Sequence, residues 1–261
     1  MIFQNFIKGG TERVFFGRYE YPLGADIIFD FGNPICTSAF NSSRIVYNVG
    51  SANVTGSLIP YNNPGAFYPT LTTDYGGTVV FKRQAGAGTN YVQWDWKSTE
   101  QETNIFVYRP NDPGGNSGDM GFPGVGAVSP TANSLYINLT AFNNVYAGAY
   151  NSSNTQFDDL FGGTVLQTGS AEGRNDWNTI TYTSNGASVS NLYLNQSAPI
   201  TNTTTITRVT SATQTFKFPF RSGYTSDNFS SRIMAYLQYP KILTAKQITQ
   251  VYKVFAQSFS T

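Results

Sequence analysis

Short runs in which apolar and polar residues alternate constrain the fold of this chain more than any other feature. A period of two is typical of antiparallel strands that bury one face. The runs are Thr78–Lys82, Tyr91–Trp96, Asn104–Tyr108, Ser134–Leu139, Trp177–Thr183, Ser188–Leu194, Thr213–Phe218 and Arg232–Tyr239, and we predict the first regular strand at Ala25–Phe31. Turn signals containing glycine or asparagine, such as Tyr75–Gly77 and Ser184–Gly186, separate them. This pattern favours a sandwich or barrel.

One segment departs from the strand period. Thr244 and Gln247 have the spacing of a capping box, which marks the start of a helix. The residues that follow place apolar side chains at helical spacing: Ile248, Val251, Tyr252 and Phe255. We therefore predict a single helix near the C-terminal end of the sequence, docked on the sandwich through this stripe.

The composition is compatible with one large domain. The 261 residues are 40% hydrophobic, and sandwiches of this size commonly form one domain. Residues 1–23 differ from the rest, because Phe3, Phe6 and Ile7 are large and apolar yet precede the first regular strand. We predict either an N-terminal arm that contacts another chain or a first strand of the same sheet, followed by one sandwich domain over residues 24–261.

Several function classes conflict with the composition. The chain has no histidine, which removes His-dependent nucleophilic catalysis and His-ligated metal sites. Cys36 is the single cysteine, and we expect it to be buried as a small apolar residue. A net charge of +1 gives no field that favours nucleic acid or an acidic membrane. We find no signal-peptide pattern and expect a soluble chain that is not exported.

Six segments resemble parts of a known family. The segments are Asp26–Pro34, Ser51–Leu58, Trp177–Tyr182, Leu192–Asn195, Phe229–Tyr239 and Leu243–Ile248. Together they are similar, over roughly Ala25 to Phe255, to the laminin-G-like, concanavalin A-like modules of phage and viral structural proteins. The resemblance implies an all-β, two-sheet antiparallel jelly-roll sandwich with one C-terminal helix.

The resemblance also implies a function. We expect a non-enzymatic virion structural protein that decorates a phage capsid or forms part of a fibre. Its partners would be other virion proteins, such as the major capsid protein, or further copies of the chain, with no nucleic acid or membrane. The alternative is a carbohydrate-binding adhesin or receptor-binding module that recognises cell-surface glycans.

A glycoside hydrolase of the laminarinase type is the least favoured alternative. That family's signature, Glu-x-Asp-x-x-Glu, is absent, and Glu100-Gln101-Glu102 is its nearest imitation. In an extended segment the side chains of Glu100 and Glu102 share a face, and the Cα atoms of the two residues lie about 6.5–7 Å apart. We interpret them as solvated charges before a strand and predict no catalytic residue.

The run Tyr91–Trp96 offers both kinds of group that sugar binding uses, namely aromatic faces and polar partners. Alternation places Val92, Trp94 and Trp96 on one face, which we interpret as core. The other face then carries the candidate glycan-binding residues Tyr91, Gln93 and Asp95.

The segment Pro110–Gly126 contains six glycines and three prolines, and we predict a long loop there. Its oxygen-bearing side chains are Asn111, Asp112, Asn116 and Asp119. Such loops can supply the six to eight oxygen ligands of calcium. We therefore consider Ca²⁺ a candidate ligand, beside the alternative that these residues only form turns, and expect no other cofactor.

Overall fold

The computed structural model describes fourteen stretches of the chain. They are residues 13–16, 19–62, 65–81, 83–84, 88–97, 99–110, 135–139, 144–150, 156–157, 166–167, 177–186, 189–203, 213–218 and 231–259. Strands dominate these stretches, and a single long helix follows the last strand. The predicted all-β sandwich with a C-terminal helix is confirmed.

The elements are numbered in chain order. The strands are β1 (Arg13–Phe16), β2 (Tyr19–Pro22), β3 (Ile27–Asp30), β4 (Ile45–Tyr47), β5 (Thr55–Ile59), β6 (Tyr61–Asn62), β7 (Ala66–Phe67), β8 (Thr70–Thr72), β9 (Thr78–Phe81), β10 (Arg83–Gln84), β11 (Gly88–Thr89), β12 (Tyr91–Trp96), β13 (Glu102–Pro110), β14 (Leu135–Leu139), β15 (Asn144–Tyr150), β16 (Gln156–Phe157), β17 (Leu166–Gln167), β18 (Asn178–Ser184), β19 (Ser190–Leu194), β20 (Ile200–Asn202), β21 (Gln214–Phe218) and β22 (Ser231–Tyr239). The helices are α1 (Pro34–Thr37), α2 (Phe40–Ser43) and α3 (Ala245–Ala256), and a short 3₁₀ turn covers Asp74–Gly76.

Two antiparallel sheets form the sandwich. The large sheet has the order β20-β19-β18-β13-β22-β9-β8, and β3 pairs with β22 beside β9. The small sheet has the order β21-β12-β5-β4. The central strand β22 thus joins β13 on one side to both β3 and β9 on the other.

Aromatic side chains fill the space between the sheets. Trp94, on the small sheet, stacks on Phe216 with 5.7 Å between ring centroids. Across the sandwich its ring lies 5.1 Å from that of Phe29 and 5.3 Å from that of Tyr236, both on the large sheet. Gly56 permits this approach, because a Cβ at that position would lie 3.3 Å from the Phe29 ring and 2.7 Å from Val92. These contacts define the inner faces of the two sheets.

The opposite face of the large sheet is covered beside β3 by α3 and strand β2. Tyr21 of the hairpin lies 5.7 Å from Phe255 of α3, measured between ring centroids. Its hydroxyl donates to the fully buried carboxylate of Asp30 at 2.7 Å. Strand β2 pairs with β1 and not with the large sheet within the described residues. The proposed division between residues 1–23 and 24–261 stays a prediction.

The helix α3 begins as predicted. The Thr244 side chain accepts from the Gln247 backbone, and the Gln247 side chain accepts from the Thr244 backbone, which completes a capping box. Ile248, Val251 and Phe255 are buried. The sequence therefore located both the start of this helix and its packed face.

The structure also contains two short helices that the sequence did not lead us to predict. Two helices of one turn each, α1 and α2, precede β4. In α1 the Asn33 side chain accepts from the Ile35 backbone, and Pro34 occupies the first helical position. This start signal was present in the sequence, but the segment is too short to show an apolar period. Cys36 in α1 is fully buried, as expected, and burial raises the pKa of its thiol.

Candidate functional site

The small sheet has one face that no described element covers, carried mainly by β12. Val92 and Trp94 are buried in the sandwich, whereas Tyr91 and Gln93 are partly exposed and Asp95 is exposed. Because neighbouring residues of a strand point to opposite faces, Tyr91, Gln93 and Asp95 lie on the side away from Trp94. The structure thus brings the three predicted glycan-binding residues to one surface.

The neighbouring strands extend this surface. Gln93 lies opposite Ser57, and Tyr91 lies opposite Ile59 on β5. Such cross-strand pairs have Cβ atoms about 4.5–5.5 Å apart. On β4, Tyr47 is 39% exposed. We call the side chains on this side of β4, β5 and β12 the outer face: Ile45, Tyr47, Thr55, Ser57, Ile59, Tyr91, Gln93 and Asp95.

The outer face combines rings with hydrogen-bonding groups. Tyr91, the first residue of β12, supplies an aromatic ring to this face, and partial desolvation raises the pKa of its hydroxyl. The phenol is therefore neutral at physiological pH and keeps its proton as a donor. Gln93 supplies an amide donor and acceptor, and Asp95 supplies a carboxylate acceptor. A sugar needs this combination, because its C–H face stacks on a ring while its hydroxyls require polar partners.

Trp96 is less buried than its expected core position implies. It lies on the same face of β12 as Val92 and Trp94, but it is partly exposed because it is the last residue of the strand. Its indole nitrogen is nevertheless buried. Trp96 thus belongs to the margin of the core.

The expectation that Glu102 is a solvated charge was wrong. Strand β13 begins at Glu102, two residues before the predicted start, so this side chain shares a sheet face with Asn104 and Phe106. Glu102 is only 4% exposed and accepts from the Asn104 amide at 2.8 Å. Asn104 in turn accepts from the Tyr236 hydroxyl at 2.8 Å. Glu100 is exposed, as expected.

The candidate calcium ligands lie outside the described residues. They are Asn111, Asp112, Asn116 and Asp119. Elsewhere, no three acidic or cysteine side chains of the described stretches come close enough to hold a metal ion. The calcium site stays a prediction.

The candidate assembly residues Phe3, Phe6 and Ile7 also lie outside the described part of the chain. Their role stays a prediction. Among the helices that the structure does describe, none has the length and apolar character needed to cross a membrane.

Sequence reasoning missed a second cluster at one end of the large sheet, formed by residues of the turn before β9, the end of β13 and the position before β18. Arg109 donates to the Tyr75 hydroxyl, and its guanidinium lies 5.3 Å from the centre of that ring. Tyr75 also meets Trp177 edge-on at 5.2 Å, and Trp177 stacks on Phe259 at 5.9 Å. The turn motif Tyr75–Gly77 was visible in the sequence, but nothing there indicated which strand ends would meet it.

The fold is similar to that of solved receptor-binding domains. The receptor-binding domain of botulinum neurotoxin C/D mosaic serotype matches with a TM-score of 0.61 and 11% identity, over 88% of this chain and 51% of that one. The binding domain of botulinum neurotoxin DC, solved in complex with rat synaptotagmin II, matches with a TM-score of 0.60 and 14% identity. The match covers 89% of this chain and 52% of that one. A third similar structure belongs to botulinum neurotoxin type C, whose cell entry depends on interaction with two ganglioside molecules. It matches with a TM-score of 0.60 and 15% identity, over 89% of this chain and 51% of that one.

These similarities concern the fold, since the identities are low. The chain spans about half the length of the solved chains it matches, at 51–52%. No family model and no curated protein matches the sequence. The similarity supports a β-sandwich of jelly-roll type.

Proposed function

We propose that this protein is a non-catalytic β-sandwich domain that binds glycans through the outer face of its small sheet. The observation that carries the proposal is the placement of Tyr91, Gln93 and Asp95 together on an uncovered surface. The toxin domains of similar fold support it, because one is a receptor-binding domain and another belongs to a toxin whose cell entry depends on gangliosides. The toxin chains to which these ligands belong are about twice as long as this chain.

The chemistry of the outer face favours neutral sugars. Asp95 is an exposed carboxylate, and carboxylate oxygens accept hydrogen bonds from the hydroxyl groups of a sugar. Tyr91 provides a ring for the C–H face of a pyranose. We therefore propose a neutral hexose or N-acetylhexosamine as the recognised unit.

A screen of immobilised glycans with the full chain tests this function. We expect binding to neutral oligosaccharides, and we expect Tyr91→Ala to abolish it. Tyr193→Ala is the matched control, because Tyr193 is also a partly exposed tyrosine on a strand but belongs to the large sheet. Absence of binding to any glycan, or equal loss in both variants, would contradict the proposal.

We further propose that the domain is carried on a virion, as an accessory on a phage capsid or fibre. Support comes from the resemblance to modules of viral structural proteins, whose order of segments agrees with strand β3, strands β18 and β19, and helix α3. This role and glycan adhesion are compatible, since a surface accessory can also bind a host glycan.

The virion proposal depends on an attachment to other virion proteins or to further copies of the chain. We expect replacement of Phe3, Phe6 and Ile7 by serine to leave the sandwich folded but to prevent incorporation into the particle. Because apolar contact drives such attachment, it should depend little on salt. Normal incorporation of the triple variant would contradict the proposed role of these residues.

A further inference from the structure

A pocket lies between the end of β2 and the loop that follows β4. Its volume is about 190 Å³. The lining is mainly apolar: Tyr21, Pro22, Leu23, Gly24, Ala25, Ile28, Val49, Gly50 and Ser51. Among these, Gly24 and Ser51 are exposed, so the mouth of the pocket lies near them.

A lysine stands at one side of the mouth. The Lys241 ammonium donates to the Leu23 carbonyl at 2.7 Å. It also lies directly over Gly24, because a Cβ on that residue would be only 3.1 Å from the Lys241 nitrogen. Gly24 has a φ of +85°, a conformation that glycine adopts without strain. The absence of a side chain at Gly24 thus leaves the ammonium beside the pocket.

The ammonium has unused capacity for hydrogen bonding. Lysine offers three donors, and Leu23 is its one hydrogen-bond acceptor within the described residues. No carboxylate of the described stretches forms an ion pair with it. Beside the Ser51 wall lies Asp26, whose carboxylate accepts from the Ser51 hydroxyl at 2.8 Å. The electrostatic field across the mouth therefore directs an anionic group toward Lys241.

We propose that this pocket binds a small carboxylate with an apolar body, independently of the glycan-binding face. The apolar part would contact Ile28 and Val49, which are 4% and 8% exposed. The carboxylate would accept from Lys241. The volume suits a body the size of one aromatic ring, since an apolar cavity of about 150 Å³ is large enough to bind benzene.

Three probes that share one aromatic ring, are similar in size and differ in charge test the proposal on the full chain. They are benzoate, benzyl alcohol and benzylamine, each titrated into ¹⁵N-labelled protein. We expect benzoate to bind most tightly and benzylamine most weakly. The backbone amide signals that move should be those of Gly24, Gly50 and Ser51.

Variants separate the charge from the cavity. Lys241→Met keeps the length of the side chain. It should weaken the affinity for benzoate by about tenfold and leave the affinity for benzyl alcohol unchanged. Lys246→Met is the matched control, because Lys246 is an exposed lysine in the first turn of α3. Ser51→Phe should close the mouth and remove binding of all three probes.

The proposal would be overturned by any of three results. Benzoate and benzyl alcohol could bind wild-type protein equally, Lys241→Met could bind benzoate as well as Lys246→Met does, or benzoate could leave the signals of Gly24, Gly50 and Ser51 unmoved. Circular dichroism establishes that each variant is folded, and the Lys241→Met result stands even if Ser51→Phe fails to fold.

Discussion

The ring of Trp94 lies 5.3 Å from that of Tyr236, and this contact joins the small sheet to the large one. It also fixes which way β12 faces. With Trp94 directed into the sandwich, Tyr91, Gln93 and Asp95 must face away from it. The position of one buried ring therefore determines the composition of the surface on the other side of the strand.

The buried ring can be tested by truncation. Trp94 is 2% exposed, and Trp94→Ala should lower the free energy of unfolding by about 3–5 kcal/mol, because it leaves a cavity between the sheets. Asp95→Ala, at the next residue, should change it by less than about 0.5 kcal/mol. Denaturant unfolding measures both values. Equal effects would contradict the assignment of the two faces.

The docking of α3 gives a second prediction. Val251 is fully buried on the helix, so Val251→Asp places a carboxylate where no water reaches it. We expect a loss of about 3 kcal/mol or more in the free energy of unfolding. Lys253→Ala, on the exposed side of the same helix, should cost less than about 0.5 kcal/mol. A stable Val251→Asp protein would show that α3 is not docked in solution.

Two buried tyrosines predict a loss of stability at high pH. Burial raises the pKa of the Tyr108 and Tyr239 hydroxyls far above the ordinary value of about 10. Above that value the unfolded chain releases these protons while the folded chain keeps them, so stability falls as pH rises. Below it the two groups contribute no pH dependence.

Removal of the hydroxyls tests this prediction. Neither hydroxyl has a hydrogen-bond partner in the described structure, so Tyr108→Phe and Tyr239→Phe should be close to neutral at pH 7. At pH 11 each variant should be more stable than wild type. Tyr47→Phe, at an exposed tyrosine, is the control and should show no such gain. Parallel pH dependence in all four proteins would refute the account.

The sequence predicted local structure well where one residue pattern determines it. The predicted bounds of Tyr91–Trp96 agree with β12, because every second side chain of that run is apolar and its ends adjoin turn residues. The start of α3 was equally clear, because a capping box acts within four residues. Both signals are local.

Strand pairing could not be predicted in this way. The period of two shows which side of a strand is buried but not which strand lies beside it. Strand β22 pairs with β3 across about two hundred residues, in a register set by the packed core. For the same reason the sequence predicted that Tyr91, Gln93 and Asp95 share a face, but not that Ser57 and Tyr47 extend it.

Asn48 shows a further limit of sequence reasoning. Its side-chain oxygen accepts from the backbone of Ile28 and Gly50, and its amide donates to the carbonyls of Asp26 and Ala52. One polar side chain thus holds the loop after β4 against β3 and shapes the pocket beside it. An asparagine in a loop usually indicates a turn, and its four partners become visible only in three dimensions.

The central claim is that the outer face of the small sheet binds a neutral glycan, and mapping of the bound sugar by NMR tests it most directly. Titration of ¹⁵N-labelled protein with a neutral oligosaccharide identified by the screen should move backbone amide signals of β4, β5 and β12. Tyr91→Ala should remove these changes, whereas Tyr193→Ala should retain them. Signal changes confined to residues of the large sheet, or unchanged binding of the oligosaccharide by Tyr91→Ala, would contradict the claim.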